Sequence, residues 1–511
     1  MRKICGVLFS RYAISAIMIC LEVLVFVLLC IYALPSLYII GAICIVAALI
    51  ALVSLITRDA NPEYKIPWTV IIIVIPALGP LMYLLFYKRR MSKKEGRRLT
   101  EIFSNMKELD CGESAFACLK EEEKGAEGKV RAIMNDDALS SVYRNTSSRV
   151  YFSGEALFED MIADLSSSKD YIFLEYFIID QGELWDSIHQ ILREKAAQGV
   201  DVRLLYDDIG CMKTLPADYE TGLRREGIKT YRFAKVNPRV SSVHHNRDHR
   251  KICVIDGKCA YTGGVNIADE YVNKKVRFGH WRDGGIRLEG DAVLGLLKLF
   301  LSSWDSTSRT RSDYAKLFSS VTPSENADAG YYLPFGSGPV PLYKRPVGKN
   351  AFLNIINQAN SYVYITTPYL IIDYDLTEAL CNASLRGVDV RIVTPGIADK
   401  KIIKILTKSS YPYLLDAGVK IYEYTPGFIH EKTLVSDDEY AVIGTINFDY
   451  RSLVHHFEDA VWMYKAECIL TAKEEYQKLL DECEVIDRKK SRLSPSEWIF
   501  RNGVRLFAPL L

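Results

Sequence analysis

The chain has 511 residues, 49% of them hydrophobic and 25% charged, with 64 Lys+Arg against 63 Asp+Glu and a net charge of +1. So apolar a chain is not disordered throughout, so long a chain holds more than one domain, and so neutral a chain is not one that is basic throughout for nucleic-acid binding. The neutrality is an average: the first hundred residues carry 12 basic against 4 acidic side chains, a balance of +8, and the remaining 411 carry 52 against 59, a balance of −7.

From Tyr12 to Thr57 the sequence is almost unbroken apolar, interrupted by Glu22 and the Pro35-Ser36 pair, and a third run from Trp68 to Tyr87 follows the polar loop RDANPEYK. At about 1.5 Å per helical residue, each run is long enough for a hydrocarbon core of ~30 Å. Membrane segments are therefore predicted at 12–34, 36–57 and 68–87, within an anchor covering 1–90. The first run outlasts a signal-peptide core and lacks a small-residue cleavage site. Glu22 is costly in lipid unless protonated, paired or near an interface.

A basic cluster follows at once: Lys88, Arg89, Arg90, Lys93, Lys94, Arg97 and Arg98. Positive charge marks the cytoplasmic side, which places the rest of the chain inside the cell. Arg2, Lys3 and Arg11 pull the other end to the same side, which three full crossings do not satisfy, so two or three spans are compatible and one segment can be re-entrant. The cluster also suits anionic lipid head groups. The twelve cysteines show no CxxC or zinc-finger spacing, as in a reduced compartment.

The stretch 91–140 is rich in Lys and Glu and reads as a charged linker or surface helix. Beyond it, β-branched apolar runs alternate with helical patterns, the α/β signature. That part is internally repeated. Asp170 to Asp180 (DYIFLEYFIID) resembles Ser361 to Asp373 (SYVYITTPYLIID); GVDVRLLY from Gly199 returns from Gly387 as GVDVRIVT; EGIKTYRF from Glu226 returns from Ala417 as AGVKIYEY. Offsets of 193, 188 and 191 residues in one order are a domain duplication. Two packed copies create a pseudo-two-fold interface, a usual place for a cleft.

Each copy then carries the same constellation. His249, Lys251, Asp256, Gly263-Gly264 and Asn266 match His430, Lys432, Asp437, Gly444-Thr445 and Asn447, with His, Lys, Asp and Asn at +2, +5 and +10 in both. The chain has only eight histidines, so two full matches are not chance. His and Lys two apart on a strand share a face. The run after Lys ends in a hairpin turn signal, Asp256-Gly257 or Asp437-Asp438. Folding back there sets Gly264 roughly opposite His249 and Thr445 roughly opposite His430, leaving room for a ligand beside each imidazole. His, Lys and Asn then converge on a phosphate, supplying a nucleophile or proton carrier, a charge and an amide donor. Asp256 and Asp437 sit at turns, where Asp is common for local reasons, so bracing and chemistry are both open for them. Cys253 reads as a small core residue.

The doubled HxKxxxxDx6G[GT]xN resembles the phospholipase D superfamily. HWRDGGIRLEG, the FGSGP at Phe335 to Pro339, TPYLI, GTINFDYRS, the NPEYKIPW before the third apolar run and the terminal RLFAPLL narrow the resemblance to bacterial cardiolipin synthases, over nearly the whole chain. It implies an α/β fold: N-terminal transmembrane helices, then two duplicated phospholipase D-like α/β/α domains, 141–325 and 326–511, sharing one active site. It implies phosphatidyl transfer between two phosphatidylglycerol molecules, giving cardiolipin and glycerol through a phosphatidyl-histidine, without metal or other cofactor. By that resemblance His249, Lys251, Asp256, His430, Lys432 and Asp437 are catalytic, with His249 as nucleophile and His430 as acid and base. Asn266 and Asn447 bind the phosphate, and Asp283 and Glu458 orient the imidazoles. The implied partners are phosphatidylglycerol, cardiolipin and the bilayer, with no nucleic acid, and the implied location is the bacterial cell membrane, multi-pass, with a cytoplasmic catalytic part. A membrane-bound phospholipase D hydrolase, or a transphosphatidylase with another alcohol acceptor, shares all these motifs. A nuclease would call for a basic cleft, against the −7 balance, and a scaffold would need neither histidine.

Overall fold

A computed structural model describes residues 18, 20–28, 34–58, 61–87, 93–109, 113–136, 139–235, 246–339, 342–343, 345–492 and 494–510. The chain forms two compact units: Met1–Arg90 with Val236–His244 and Gly503–Leu511, and Met91–Lys235 with His245–Asn502.

In the first unit, α1 (Leu34–Ile56) carries Pro35 in its first turn, where a missing N–H costs nothing. Its Tyr38–Ile56 stretch is, among the described residues, the one helix long and apolar enough to cross a membrane. The run 68–87, expected as one crossing, is instead split between α2 (Pro62–Val74) and α3 (Gly79–Phe86). The cause is Pro76, which has no N–H for the helical ladder and drives the residue before it out of the α region; Ile75 has φ −125° and ψ 67°. Thirteen and eight residues rise about 20 and 12 Å, each short of a ~30 Å core. Among the described residues, then, one helix is long and apolar enough to cross a membrane, and they do not support several crossings. Of the expected 12–34 segment, only 18, 20–28 and 34 lie among them. Leu55, Trp68, Ile72 and Tyr83 make the small buried core of this unit.

The second unit begins with α4 (Lys93–Lys107), α5 (Glu113–Glu122) and α6 (Lys124–Asp136). Their apolar faces, including Leu99, Ile102, Phe103, Met106, Leu119 and Val130, are buried in the main core. Of the two readings of 91–140, charged linker or surface helix, the described residues fit the second: the helices lay their apolar faces on the core and keep most of their charge outside, Lys129 being buried.

The first half supplies β1 (Thr146–Tyr151), β2 (Tyr171–Tyr176), β3 (Asp201–Asp207), β4 (Lys229–Phe233), β5 (Ile252–Ile255), β6 (Cys259–Gly263), β7 (His280–Arg282) and β8 (Gly285–Gly290). The second supplies β9 (Tyr331–Ser337), β10 (Tyr362–Thr366), β11 (Leu370–Ile371), β12 (Asp389–Pro395), β13 (Lys420–Tyr424), β14 (Gly427–Ile429), β15 (Thr433–Ser436), β16 (Tyr440–Gly444), β17 (Phe448–Asp449), β18 (Glu458–Tyr464) and β19 (Cys483–Ile486). One sheet runs β1-β8-β6-β5-β2-β3-β4, the other β9-β18-β16-β15-β10-β12-β13-β19. Strand for strand this is one order used twice, with β19 added at an edge. β2, β3 and β4 are parallel, as are β10, β12 and β13, while the motif hairpins β5-β6 and β15-β16 are antiparallel. Parallel strands must be covered on both faces, which is why β2 and β10 are buried from end to end. Helix α7 (Val293–Ser308), buried from Val293 to Asp305, packs on β4, β5 and β6 of the first sheet and on β9 of the second, so the halves share one core.

Candidate active site

Each histidine stands where its chain is stitched to the opposite half. β14 pairs in parallel with β7, and the next residue, His430, donates its backbone N–H to the Arg282 carbonyl at 2.7 Å. In mirror fashion Asp248 bridges Phe457, and His249 donates its N–H to the Phe457 carbonyl at 2.8 Å. Arg282 and Phe457 immediately precede Asp283 and Glu458. The stitching therefore delivers each carboxylate to the other half's histidine: His249 Nδ1 lies 2.9 Å from Glu458 Oε2, and His430 Nδ1 lies 2.7 Å from Asp283 Oδ2. With Nδ1 engaged, Nε2 is the ring nitrogen left for chemistry.

All four groups are buried, and burial sets their protonation. It lowers His249 to about 3, opposed by Glu458 and reinforced by the charge of Lys251. It lowers His430 to about 4, reinforced by Lys432 and opposed by Asp283. Burial alone would raise the two carboxyls, but His249 and His456 hold Glu458 well below the usual range, and His430 with Lys432 lowers Asp283. At neutral pH the site thus holds two carboxylates, each accepting Nδ1–H from a neutral imidazole whose Nε2 carries a lone pair.

Lys251 and Lys432 are buried beside them, each donating to the carbonyl of its own histidine. Burial brings Lys251 to about 8 against the pull of Glu458, Asp459 and Asp283. It brings Lys432 to about 7, opposed by Asp283 and reinforced by Lys251. Two ammonium groups that each raise the cost of the other's charge make a place where an anionic phosphodiester is favoured.

Asp256 and Asp437 are not brought to this place. Asp256, in a turn at φ +53°, accepts from Ser168 Oγ at 3.0 Å and from the backbone N–H groups of Lys169, Asp170 and Tyr171 at 2.7 to 2.9 Å. Asp437, at φ +56°, accepts from those of Asn360, Ser361 and Tyr362 at 2.8 to 2.9 Å. Both carboxylates satisfy the orphan N–H groups ahead of β2 and β10 and pin the motif hairpin to the neighbouring strand, the bracing role that was one of the two left open and not the catalytic one the resemblance implied. Asn266 is likewise occupied: its Oδ1 accepts from Ile178 N and its Nδ2 donates to Tyr271 Oη. Asn447 is buried with Oδ1 unpartnered. Cys253 is fully buried in the core.

The small residues also differ from expectation. Gly264, one register step from opposite His249, lies beside Asp283 and the His430 carbonyl, and a Cβ there would overlap the Asp283 carboxylate. Thr445, its counterpart, donates its hydroxyl to Glu458, the partner of His249. The expectation counted positions within one hairpin, whereas the imidazole that each small residue serves comes from the other half.

Several site residues escaped the reading of the sequence. The His249 ring has Phe177 edge-on at 4.9 Å and His456 at 5.6 Å. The His430 ring sits among Tyr271 and Trp281, both at 5.6 Å, and Phe428 at 5.8 Å. Asp459, raised to about 7 by burial, accepts from Thr262 of the other half. The doubled His455-His456 before Phe457-Glu458 was the one available signal.

A family model described as "Cardiolipin synthase, PLD-like domain" matches residues 161–276 and 352–480, and one described as "Phospholipase D-nuclease N-terminal" matches 46–86. Over 90% of its length the chain is 40% identical to an uncharacterised protein of Streptococcus mutans, covering 99% of it. Over 90% of its length it is also 32% identical to a cardiolipin synthase of Halalkalibacterium halodurans, covering 91% of that protein. The crystal structure of a phosphatidylserine synthase of Haemophilus influenzae superposes with a TM-score of 0.57 at 14% identity, over 75% of this chain and all of that one, a likeness of fold.

Proposed function

The chain belongs to the cardiolipin synthases of the phospholipase D superfamily and is a phosphatidyltransferase, and from that premise we propose that it joins two phosphatidylglycerol molecules into cardiolipin and free glycerol. The observation that carries this is the reciprocal pair His249–Glu458 and His430–Asp283. Double displacement at phosphorus needs one imidazole as nucleophile and one as acid and base, each held by its Nδ1.

His249 Nε2 attacks the phosphorus of the first phosphatidylglycerol, and the phosphorus–oxygen bond to glycerol breaks. The departing oxygen takes a proton from His430, which is in its imidazolium form when the phosphodiester anion and the Asp283 carboxylate face it. Neutral His430 then removes the proton from a glycerol hydroxyl of the second phosphatidylglycerol. That oxygen attacks phosphorus, the phosphorus–nitrogen bond breaks, and His249 is regenerated. The Lys251 and Lys432 ammonium groups offset the charge that builds on the phosphorane oxygens. His249 is assigned as the nucleophile by the family resemblance; burial lowers both imidazoles, so either can arrive neutral, and a leaving group that departs without a proton distinguishes them.

The basic segment from Lys88 to Arg98 and the apolar α1 support a catalytic body held at the cytoplasmic face of the cell membrane, where both substrates are lipids. The reading is tested by incubating purified enzyme in liposomes with labelled phosphatidylglycerol and resolving the products. Cardiolipin with one glycerol per cardiolipin is expected. Phosphatidic acid with glycerol would identify a hydrolase, and a phosphatidyl ester formed only when another alcohol is added would identify a different acceptor.

A further inference from the structure

Glu458 has a second neighbour that the transfer scheme leaves unused. The His456 ring lies 5.6 Å from the His249 ring, and its Nδ1 is 3.7 Å from Glu458 Oε1. Both atoms, His456 Nδ1 and Glu458 Oε1, are buried without a hydrogen-bond partner. Buried polar atoms are nearly always hydrogen-bonded, and these two face each other as an ion pair just too wide for that, which leaves room for something between them. The pair does not stand alone: one donor atom from each of His249, His456 and Glu458 lies within 4.8 Å of the other two.

Two imidazoles and one carboxylate are a zinc donor set, with metal–ligand bonds of about 2.0 to 2.2 Å and hence donors about 3.4 Å apart in a tetrahedron. The spacing found is one short side-chain movement from that. Both imidazoles keep 11% of their side-chain surface exposed, so a cation can reach them.

We propose that His249, His456 and Glu458 form an inhibitory site for a borderline-soft divalent cation, Zn2+ foremost, which silences the nucleophile. The chemistry lies in the tautomer. In the resting site Nδ1 of His249 carries the proton donated to Glu458, and Nε2 carries the lone pair. A cation bound at Nδ1 and Glu458 moves that proton to Nε2, so the lone pair is spent on the metal and the face toward phosphorus becomes an N–H. His456 supplies the third ligand. Mg2+ and Ca2+ prefer all-oxygen shells and do not compete for two imidazoles. The loss of turnover rests on His249 acting in phosphatidyl transfer; the binding of the ion does not.

The test uses the full chain in detergent after chelator treatment. Co2+ is titrated while its visible d–d absorption is followed, Zn2+ binding is counted by equilibrium dialysis, and cardiolipin formation is assayed with each variant normalised to its own metal-free rate. One ion per chain, a tetrahedral Co2+ spectrum, and an inhibition by Zn2+ that chelator reverses and that Mg2+ or Ca2+ at the same concentration does not reproduce are expected. His456→Asn and His456→Gln should each lose the Co2+ spectrum and weaken Zn2+ inhibition by more than about tenfold. Should one variant not fold, by circular dichroism, the other decides. An unchanged Co2+ spectrum or unchanged Zn2+ inhibition in the folded variant overturns the proposal, as does the lack of any bound ion in the parent. Absence of cardiolipin formation without metal, with the Co2+ spectrum intact, would instead overturn the functional reading and leave the site standing.

Discussion

The two histidines of the site have matching hydrogen bonds and unlike surroundings. His249 is held by a glutamate that also accepts from Thr445 and faces a second imidazole, His456, with Phe177 against the ring. His430 is held by an aspartate that has Gly264 beside it and a wall of Tyr271, Trp281 and Phe428 around the ring. Duplication kept the strand order, the bracing aspartates and, at the site, a carboxylate on Nδ1 and a lysine two residues on, while the neighbours of each imidazole diverged. The difference teaches that a site with pseudo-two-fold symmetry can hold two distinct roles, because role is set by the neighbours of each imidazole and not by the motif that contains it.

The sharpest way to break the equivalence is to remove each imidazole and change the leaving group. His249→Ala and His430→Ala should each lower cardiolipin formation by at least about a thousandfold, because both steps use both groups. With a phosphatidyl ester of p-nitrophenol, whose departure needs no proton, His430→Ala should still release one equivalent of nitrophenol per enzyme in a burst. His249→Ala should release none. The reverse pattern would exchange the two roles, and bursts from both would sink the single-nucleophile scheme.

Next come the carboxylates. Glu458→Gln and Asp283→Asn keep shape and remove charge, and each should cost about 10²- to 10⁴-fold in kcat by analogy with the acid of a serine-protease triad. Because the pairs cross between halves, Glu458→Gln should impair the nitrophenol burst, the His249 step, more than Asp283→Asn does. Equal losses in the burst would mean that the carboxylates act on the whole site and not through their own imidazole.

The small residues should part company more mildly. Gly264→Ala places a methyl in the space of the Asp283 carboxylate and should cost about a hundredfold, the penalty of a misplaced catalytic group. Thr445→Ala removes a hydroxyl that donates to Glu458 and should cost no more than about tenfold, the worth of one hydrogen bond. Asp256→Asn and Asp437→Asn test where the halves remain alike. Each should lower unfolding free energy by about 1 to 3 kcal/mol, measured by chemical denaturation, with turnover per folded enzyme little changed.

Much of this was legible before any coordinates. The HxK spacing, the hairpin turns and the offset near 190 residues report local periodicity and duplication, which a one-dimensional string carries well. What crosses between halves was not legible: nothing in HWRDGG or HHFEDA tells which histidine each acid will reach. Asp256 was ambiguous because a bracing aspartate and a catalytic one look the same at a turn. One error had a visible signal: Ile75-Pro76 already marks a break in the run 68–87. Leu99, Ile102, Phe103 and Met106 repeat at helical spacing, which already favoured the surface helix over the linker for that stretch.

The smallest effect separates the lysines. Each binds phosphate as an ammonium, and burial lowers Lys251 to about 8 and Lys432 to about 7 in the free enzyme. A lowered amine loses its charge as pH rises through that value, so kcat/KM, which reports free-enzyme ionisation, should fall on the alkaline side from about pH 7 to 8, while kcat at saturating lipid changes less because bound phosphodiester restores the charge. Lys432→Arg keeps a guanidinium charged throughout this range, so the limb should move up and leave Lys251 to set it, even if the less fitting side chain lowers the plateau. An alkaline limb that stays in place in Lys432→Arg would assign it to Lys251 alone and make the two halves unequal in electrostatics as well as in shape.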